Sequence, residues 1–344
     1  MDNSDTVLVT GGTGAVGVRC ILQLMKKGYK VKTTIRSIKN KNEVLKMLKT
    51  GGIISFDDLS FIEADLTKDD NWGEAMKGCD YVLQVASPTH LESKDENDII
   101  CPAVDGVIRV LKAARDAGIK RVVMTSSFGA VGYSNKDHDT ETTEANWTDS
   151  NEKGLSPYDK SKLLSERAAW DFVKKEGGNL ELVAINPVAI FGPSLGPGKS
   201  PSLGVFKFLL NGSAKAIPNI PFNVVDIRDV ADLHIRAMTN PNAKGQRFIA
   251  SADGKITMPE IARLMKNKMP VIAAKVPTKT LPDWILNVSA LFNAQAKQAA
   301  KLLKINRRVS NEKARKVLNW TPIADKETAI LASLESMVKL GLIK

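Results

Sequence analysis

Near the start of the chain, a glycine triplet sits between a strand pattern and a helix pattern. Thr6-Val7-Leu8-Val9-Thr10 is a short β-branched run. Gly11, Gly14 and Gly17 follow in a GxxGxxG spacing, and residues 18–27 read as a helix. A strand that turns through glycines straight into a helix is a βα unit suited to a parallel sheet. The first glycine permits a tight turn, the second a close backbone approach to a phosphate, and the third close packing of helix on strand. The helix N-terminus offers free N–H donors and a partial positive charge to an anion. Gly11, Thr13, Gly14, Ala15, Val16 and Gly17 are therefore candidate phosphate contacts.

The rest of the first half continues the alternation. Strand patterns cover 29–36, 60–63, 81–86, 121–126 and 180–186, and helix patterns cover 103–117 and 157–175. Strands separated by helices of this length predict right-handed βαβ units. The second half is less regular. Residues 191–221 are rich in Gly, Pro and Ser, with a helix candidate at 203–210. A short strand at 223–226 and a helix at 230–238 follow, and the remainder is helix-dominated. The predicted class is α/β: a Rossmann-type, doubly wound parallel sheet with a smaller, mostly helical C-terminal substrate domain. Residues 1–190, completed by about 223–250, would bind a dinucleotide. Residues 191–222 and 251–344 would form a substrate-binding cap.

With 344 residues, 43% of them hydrophobic, the chain can bury a sizeable core. It has no apolar run of the roughly 18 residues needed for a membrane span. Met1-Asp2-Asn3-Ser4-Asp5 lacks the basic and apolar regions of a secretory signal. The three cysteines, Cys20, Cys79 and Cys101, form no CxxC pair, and the three histidines have no metal-ligand spacing. These features predict a cytoplasmic protein without a disulfide framework, metal or membrane partner. The formal charge of +11 comes mostly from single lysines on helical faces without interleaved aromatics. Even the dense stretch from Lys297 to Lys316 reads as solvated surface, so no nucleic-acid partner is expected. A basic surface can steer an anionic cofactor toward its cleft.

The second strand indicates which dinucleotide is bound. An acid about 20 residues past the loop would hold the 2′-hydroxyl of NAD. Thr33-Thr34-Ile35-Arg36 ends the strand instead, with Lys39 and Lys41 beyond it. A guanidinium pairs well with a 2′-phosphate, so the expected cofactor is NADP(H).

The chemistry is expected on a helix. In Ser156-Pro157-Tyr158-Asp159-Lys160-Ser161-Lys162, Ser156 suits the N-cap and Pro157 the first turn. Tyr158 and Lys162 then share one face at i and i+4. A lysine ammonium and the positive helix end would favour the phenolate and let the pair move a proton. Thr125-Ser126-Ser127 ends the fifth strand, where α/β sheets place ligand-contacting groups. Either Ser126 or Ser127 could support the charge on a carbonyl oxygen.

Together these residues resemble the extended short-chain dehydrogenase/reductase superfamily, also known as the NAD-dependent epimerase/dehydratase superfamily. They are most similar to its branch of dihydroflavonol, cinnamoyl-CoA and aldehyde/ketone reductases. Ala64-Asp65-Leu66, Val85-Ala86-Ser87-Pro88, Asn186-Pro187-Val188, Asp226-Ile227-Arg228-Asp229 and Ser310-Asn311-Glu312-Lys313 extend the likeness over nearly the whole chain. The resemblance implies that Ser127 polarises the carbonyl, Tyr158 is the general acid and Lys162 tunes it and holds the nicotinamide ribose. It implies that Asp65 and Leu66 line the adenine pocket. Val85, Ala86, Ser87 and Thr125 would border the cofactor, as would Pro187 and Val188 at the nicotinamide. Arg36 with Lys39 or Lys41 would hold the 2′-phosphate. Asp105 stands where relatives often carry asparagine.

The expected function is NADPH-dependent reduction of a small aldehyde or ketone by a monomer or homodimer. A nucleotide-sugar epimerase or dehydratase with tightly bound NAD and a non-catalytic NADP-sensing regulator are the alternatives. His90 could sit at the substrate mouth, while His138 and His234 read as a surface and a packed histidine. Phe128, Phe191, Phe206 and Trp284 could wall an apolar pocket but equally fit an ordinary core.

Overall fold

The computed structural model describes residues 5–88, 95–197 and 201–343. The β-branched run forms β1 (Thr6–Val9), and the glycine loop leads into α1 (Ala15–Lys26). β2 (Lys30–Ile35), α2 (Lys41–Thr50), β3 (Leu59–Glu63), the short α3 (Trp72–Met76) and β4 (Tyr81–Gln84) follow. α4 (Asn97–Asp116), β5 (Arg121–Thr125), α5 (Pro157–Glu176) and β6 (Glu181–Pro187) continue the alternation, and Arg247–Ala250 supplies an edge strand. The seven strands are parallel, in the order Arg247–Ala250, β6, β5, β4, β1, β2, β3. The chain steps outward from β1 to β3, then returns to β4 on the other side of β1. The carboxyl ends of β1 and β4 thus flank the switch point at which such sheets take ligands.

Both faces of the sheet are covered, which is why its inner strands read as nearly continuous apolar runs; β5 is buried at every position. Pleating sends neighbouring residues to opposite faces. Val7 and Val9 join one cluster with Ile21, Leu24 and Leu233, and Leu8 joins the other with Val110, Leu111 and Leu182. A third cluster lies among the helices Gly204–Leu210, Met258–Lys268 and Lys326–Lys339, and includes Phe191, Phe206, Ile261 and Leu334. Ile305, Ala314, Leu318 and Trp320 pack instead with the sheet's first cluster.

α4 begins at Asn97, ahead of the expected start at residue 103, and runs through Pro102. Burial of Ile99 and Ile100 gives the earlier turn a tertiary reason that helix propensity lacks. α2, α3 and the strand Arg247–Ala250 were not expected from the sequence. Among the described residues no helix is long and apolar enough to cross a membrane.

Candidate active site

The glycine loop is held at both ends. Gly12 N–H donates to Thr34 O (2.9 Å) and Gly11 N–H to Thr34 Oγ1 (3.1 Å). Thr10 Oγ1 accepts from the N–H groups of Val85 (3.0 Å) and Ala86 (2.9 Å). Gly11 has φ 73°, a left-handed conformation that glycine adopts without strain. A Cβ on Gly17 would lie 2.3 Å from Gly11 O, so only a glycine lets α1 close onto the loop. Gly14 caps α1 without a side-chain bond, and no acid stands in the first turn. Its N–H groups and positive helix end are therefore available to an anion.

The other predicted cofactor contacts surround this cradle at the carboxyl ends of the strands. Arg36 is exposed two residues beyond Thr34, and Lys39 lies on the following turn. Lys41 Nζ sits 5.4 Å from the centre of the Phe61 ring. Asp65, past β3, accepts from Thr67 N and Oγ1 (both 2.9 Å). That backbone bond, with further help from Arg36, holds the carboxyl below its ordinary range. Leu66 packs against Gly106 of α4, where a Cβ would meet the leucine Cβ at 2.9 Å. Pro187 ends β6, and Val188 N–H donates to Ala250 O (3.1 Å).

α5 begins as its sequence indicates. Ser156 Oγ accepts from Asp159 N (3.1 Å), and Pro157 occupies the first turn. A Cβ on Gly129 would meet both Asp159 Oδ1 (2.7 Å) and Ser127 Oγ (3.2 Å), so the turn after β5 lies against the start of α5. The two candidate serines separate here. Ser126 is buried and its hydroxyl donates to Glu166 Oε2. Ser127 is half-buried and its Oγ accepts from Gly129 N (2.9 Å).

Lys162 is buried and donates from Nζ to Thr125 O (3.0 Å). Burial lowers its ammonium to about 8, against a smaller upward pull from Glu166. Behind it, His234 holds the Thr125 side chain: Thr125 Oγ1 and Nε2 are 2.7 Å apart, as are Nδ1 and Val230 O. Val230 O can only accept, so Nδ1 carries the proton and Nε2 accepts from Thr125. Burial depresses His234 to about 4 and keeps it neutral.

The electrostatics of Tyr158 correct one expectation. Its phenol is pushed up to about 12, first by burial and then by Asp159; Lys162 is not among the groups acting on it. The ammonium expected to favour the phenolate is directed at Thr125 O instead, and burial disfavours its charge.

A buried shell behind these residues was not foreseen. Glu166, one turn past Lys162, takes Ser126 Oγ, Asn186 Nδ2 (2.8 Å) and Arg247 Nε (2.6 Å). Asn186 also donates to Ser127 O (3.2 Å), tying both serines to β6. Arg247 stacks over Trp147 at 3.6 Å from the ring centre and donates to Glu144 O and Asn146 O. Only Glu166 carried a readable signal, since it continues the i, i+4 face of Tyr158 and Lys162. Tyr133 is raised first by burial and then by Asp159, and feels Arg307 and Tyr158 as well.

Of the weaker candidates, Phe128, Phe191 and Phe206 are core, whereas Trp284 is 68% exposed. His138 is on the surface and His234 is packed, while His90 lies outside the described residues. Among the described residues no group of three or more His, Cys, Asp or Glu is arranged to hold a metal ion.

Residues 7–250 match the sequence model of the NAD dependent epimerase/dehydratase family. The chain is 34% identical over 289 residues to anthocyanidin reductase ((2S)-flavan-3-ol-forming) of Vitis vinifera, covering 79% of this chain and 83% of the relative. It is 32% identical over 339 residues to a putative NADPH-dependent methylglyoxal reductase, GRP2, of Candida albicans, covering 93% and 95%. The crystal structure of Candida albicans Gre2 in complex with NADPH superposes with a TM-score of 0.79 at 27% identity, covering 98% of this chain and 99% of that one. The family match and these full-length likenesses agree with the glycine cradle and the Tyr158–Lys162 helix: the chain belongs to the NAD dependent epimerase/dehydratase family, among its reductases.

Proposed function

We propose that the protein is an NADPH-dependent oxidoreductase that reduces the carbonyl of a small aldehyde or ketone, with Tyr158 as the proton donor. The observation that carries this reading is the position of Tyr158 and Lys162, one helical turn apart on α5 beside the strand end bearing Ser127. The residues present suit the cofactor. A Cβ on Gly12 or Gly17 would fall 2.4 Å from Thr33 Oγ1 or 2.3 Å from Gly11 O, and the end of α1 is open to a pyrophosphate. Arg36, with Lys39 or Lys41, supplies positive charge for a 2′-phosphate just beyond the end of β2. Asp65, Leu66, Val85, Ala86, Ser87, Thr125, Pro187 and Val188 would border the adenine and nicotinamide ends. When bound, NADPH supplies the hydride.

The chain's own residues supply the rest. Ser127 Oγ would donate to the substrate oxygen and stabilise the charge that builds there. A phenol held near 12 is protonated at neutral pH, the form a general acid needs. Lys162, its Nζ fixed on Thr125 O and Thr125 braced by His234, would hold the nicotinamide ribose. Holding cofactor and carbonyl side by side contributes through proximity. Residues 1–190 with about 223–250 would form the nucleotide lobe. Residues 191–222 and 251–344 would shape the substrate pocket, with 305–320 bracing the sheet. The separate third cluster supports this division.

The test is NADPH consumption across aliphatic, aromatic and 2-oxo aldehydes, diketones and flavanonols. Tyr158→Phe should lower turnover by about 10²-fold or more while NADPH still binds. Near-normal turnover discards the mechanism. Arg36→Ala should erode the preference for NADPH over NADH, and an unchanged preference discards the 2′-phosphate assignment.

A further inference from the structure

Arg307 stands apart from the other arginines in the core. Its backbone is fixed by its surroundings. Asn306 Nδ2 donates to Asp137 O (2.6 Å) and Thr140 O (2.7 Å), and Asn223 Nδ2 donates to Arg307 O (3.1 Å). Thr142 N–H donates to Arg308 O (2.8 Å), and Ser310 N–H to Thr142 O (3.0 Å). These bonds hold the residue from both sides, so the chain emerging between them has a set origin.

The side chain makes no such bonds. Arg307 Nε is shut off from solvent and has no hydrogen-bond partner, and among the described residues the guanidinium forms no ion pair. An unpaired buried donor on a charged group is costly, and native structures seldom leave one without a purpose. The groups that feel its charge are Tyr133 and Asp159, and Tyr133 in turn feels Tyr158. Asp159 cannot serve as a full partner. Its Oδ2 accepts from Ser156 Oγ (2.5 Å), and burial raises its carboxyl toward the neutral form. Neither the Tyr133 nor the Tyr158 phenol oxygen has a hydrogen-bond partner among the described residues. Asn306 N–H donates to Asn135 O (3.2 Å), and the Tyr133 ring packs edge-on against Phe128, which follows Ser127, at 6.1 Å between ring centres, so the segment carrying the uncommitted guanidinium lies against the turn of the candidate site.

We propose that Arg307 is a specificity-determining residue that receives a substrate carboxylate, so that the preferred substrates are short oxo acids whose carbonyl lies against Tyr158. Arginine presents a planar fork of donors that matches a carboxylate in two parallel bonds. A carboxylate reaching the half-buried guanidinium would give it the partner it lacks. The inference rests on the reductase reading, because the reducible carbonyl must lie beside Tyr158.

The experiment compares kcat/KM for 2-oxobutanoate, 3-oxobutanoate and 4-oxopentanoate with that for the methyl ester of each, which removes the charge and adds one methyl group. The wild type should favour at least one acid over its ester. In Arg307→Met that ratio should fall roughly 30-fold, the worth of a lost charge-assisted hydrogen bond. Arg307→Lys, which keeps the charge but not the fork, should fall in between and serves alone if the methionine variant does not fold. A wild type that favours every ester, or variant ratios within threefold of the wild type, overturns the proposal and leaves the reductase reading standing. If no acid, ester or aldehyde is reduced, the reductase reading itself fails. Titration of the three acids, followed by tryptophan fluorescence, then decides the proposal. Saturable binding that Arg307→Met abolishes upholds carboxylate recognition, and its absence or persistence in the variant overturns it.

Discussion

Replacing Lys162 with methionine should stabilise the protein while removing its activity. The lysine ammonium is buried and held to about 8 against an ordinary 10.5. A folded value below the unfolded one means that the unfolded chain binds more protons between these limits. Stability must therefore rise with pH through that window, and the ammonium is a liability below it. At about 1.4 kcal/mol per tenfold, the gap amounts to about 3 kcal/mol at pH 7. Against this stands the lost bond from Nζ to Thr125 O (3.0 Å), worth about 1.5–3 kcal/mol to a charged donor. Lys162→Met should thus gain roughly 1 kcal/mol at pH 7. By pH 9.5 about 2 kcal/mol of the wild type's deficit should have disappeared, leaving the variant the less stable of the two. Urea denaturation of both proteins at pH 7 and 9.5 measures the crossing, and carbonyl-dependent NADPH oxidation measures the loss of activity. The difference in stability between the two proteins isolates the lysine, because every other titrating group is shared. A difference independent of pH would refute the reasoning, whatever its sign at pH 7.

Two further outcomes follow from buried groups elsewhere. Arg247→Met leaves the fully buried Glu166 without its guanidinium and should cost about 3–5 kcal/mol in urea denaturation; a loss below about 1 kcal/mol would refute the buried pairing. Asp229 accepts from Ile323 N (3.0 Å) and is raised, chiefly by burial, to about 6 from 3.8. Its folded value lies above the unfolded one, so its ionisation removes stability as pH climbs through that interval, by at most about 3 kcal/mol. Asp229→Asn keeps an acceptor for Ile323 and should be relatively more stable at pH 7 than at pH 4, and equal differences at the two values would count against the buried-acid reading.

The elements legible in the sequence were those whose local pattern and tertiary role agree. β1 and β5 are apolar because both faces of the sheet are covered, and α5 begins where Ser156 caps it and Pro157 fits the first turn. The elements that were not expected draw their stability from elsewhere. α2 carries four lysines or threonines among ten residues, and only Val44, Met47 and Leu48 are buried, too few to outweigh its polar reading. Arg247–Ala250 spans four residues, too short for a period to emerge, and becomes a strand because β6 offers it a partner. In the candidate site, residues at the ends of predicted strands were accessible to spacing arguments, whereas Arg247 and Asn186 meet on Glu166 only through long-range closure. No local pattern marks a residue whose partner lies 81 positions away, as Glu166 lies from Arg247.

The paired serines show how such closure resolves what spacing leaves open. Adjacent residues at a strand end point in opposite directions, so one of Ser126 and Ser127 had to face the sheet interior. Glu166 determines which. Its carboxylate is fully buried and needs donors, and Ser126, Asn186 and Arg247 provide them. A hydroxyl already donating to a buried carboxylate has no proton left for a substrate oxygen, because serine carries a single O–H. Ser127 Oγ, by contrast, accepts from Gly129 N and keeps its proton available. Asn186 ties the Ser127 carbonyl to the same carboxylate. The shell that occupies the Ser126 hydroxyl thereby also holds the backbone of Ser127, the serine proposed to meet the substrate oxygen.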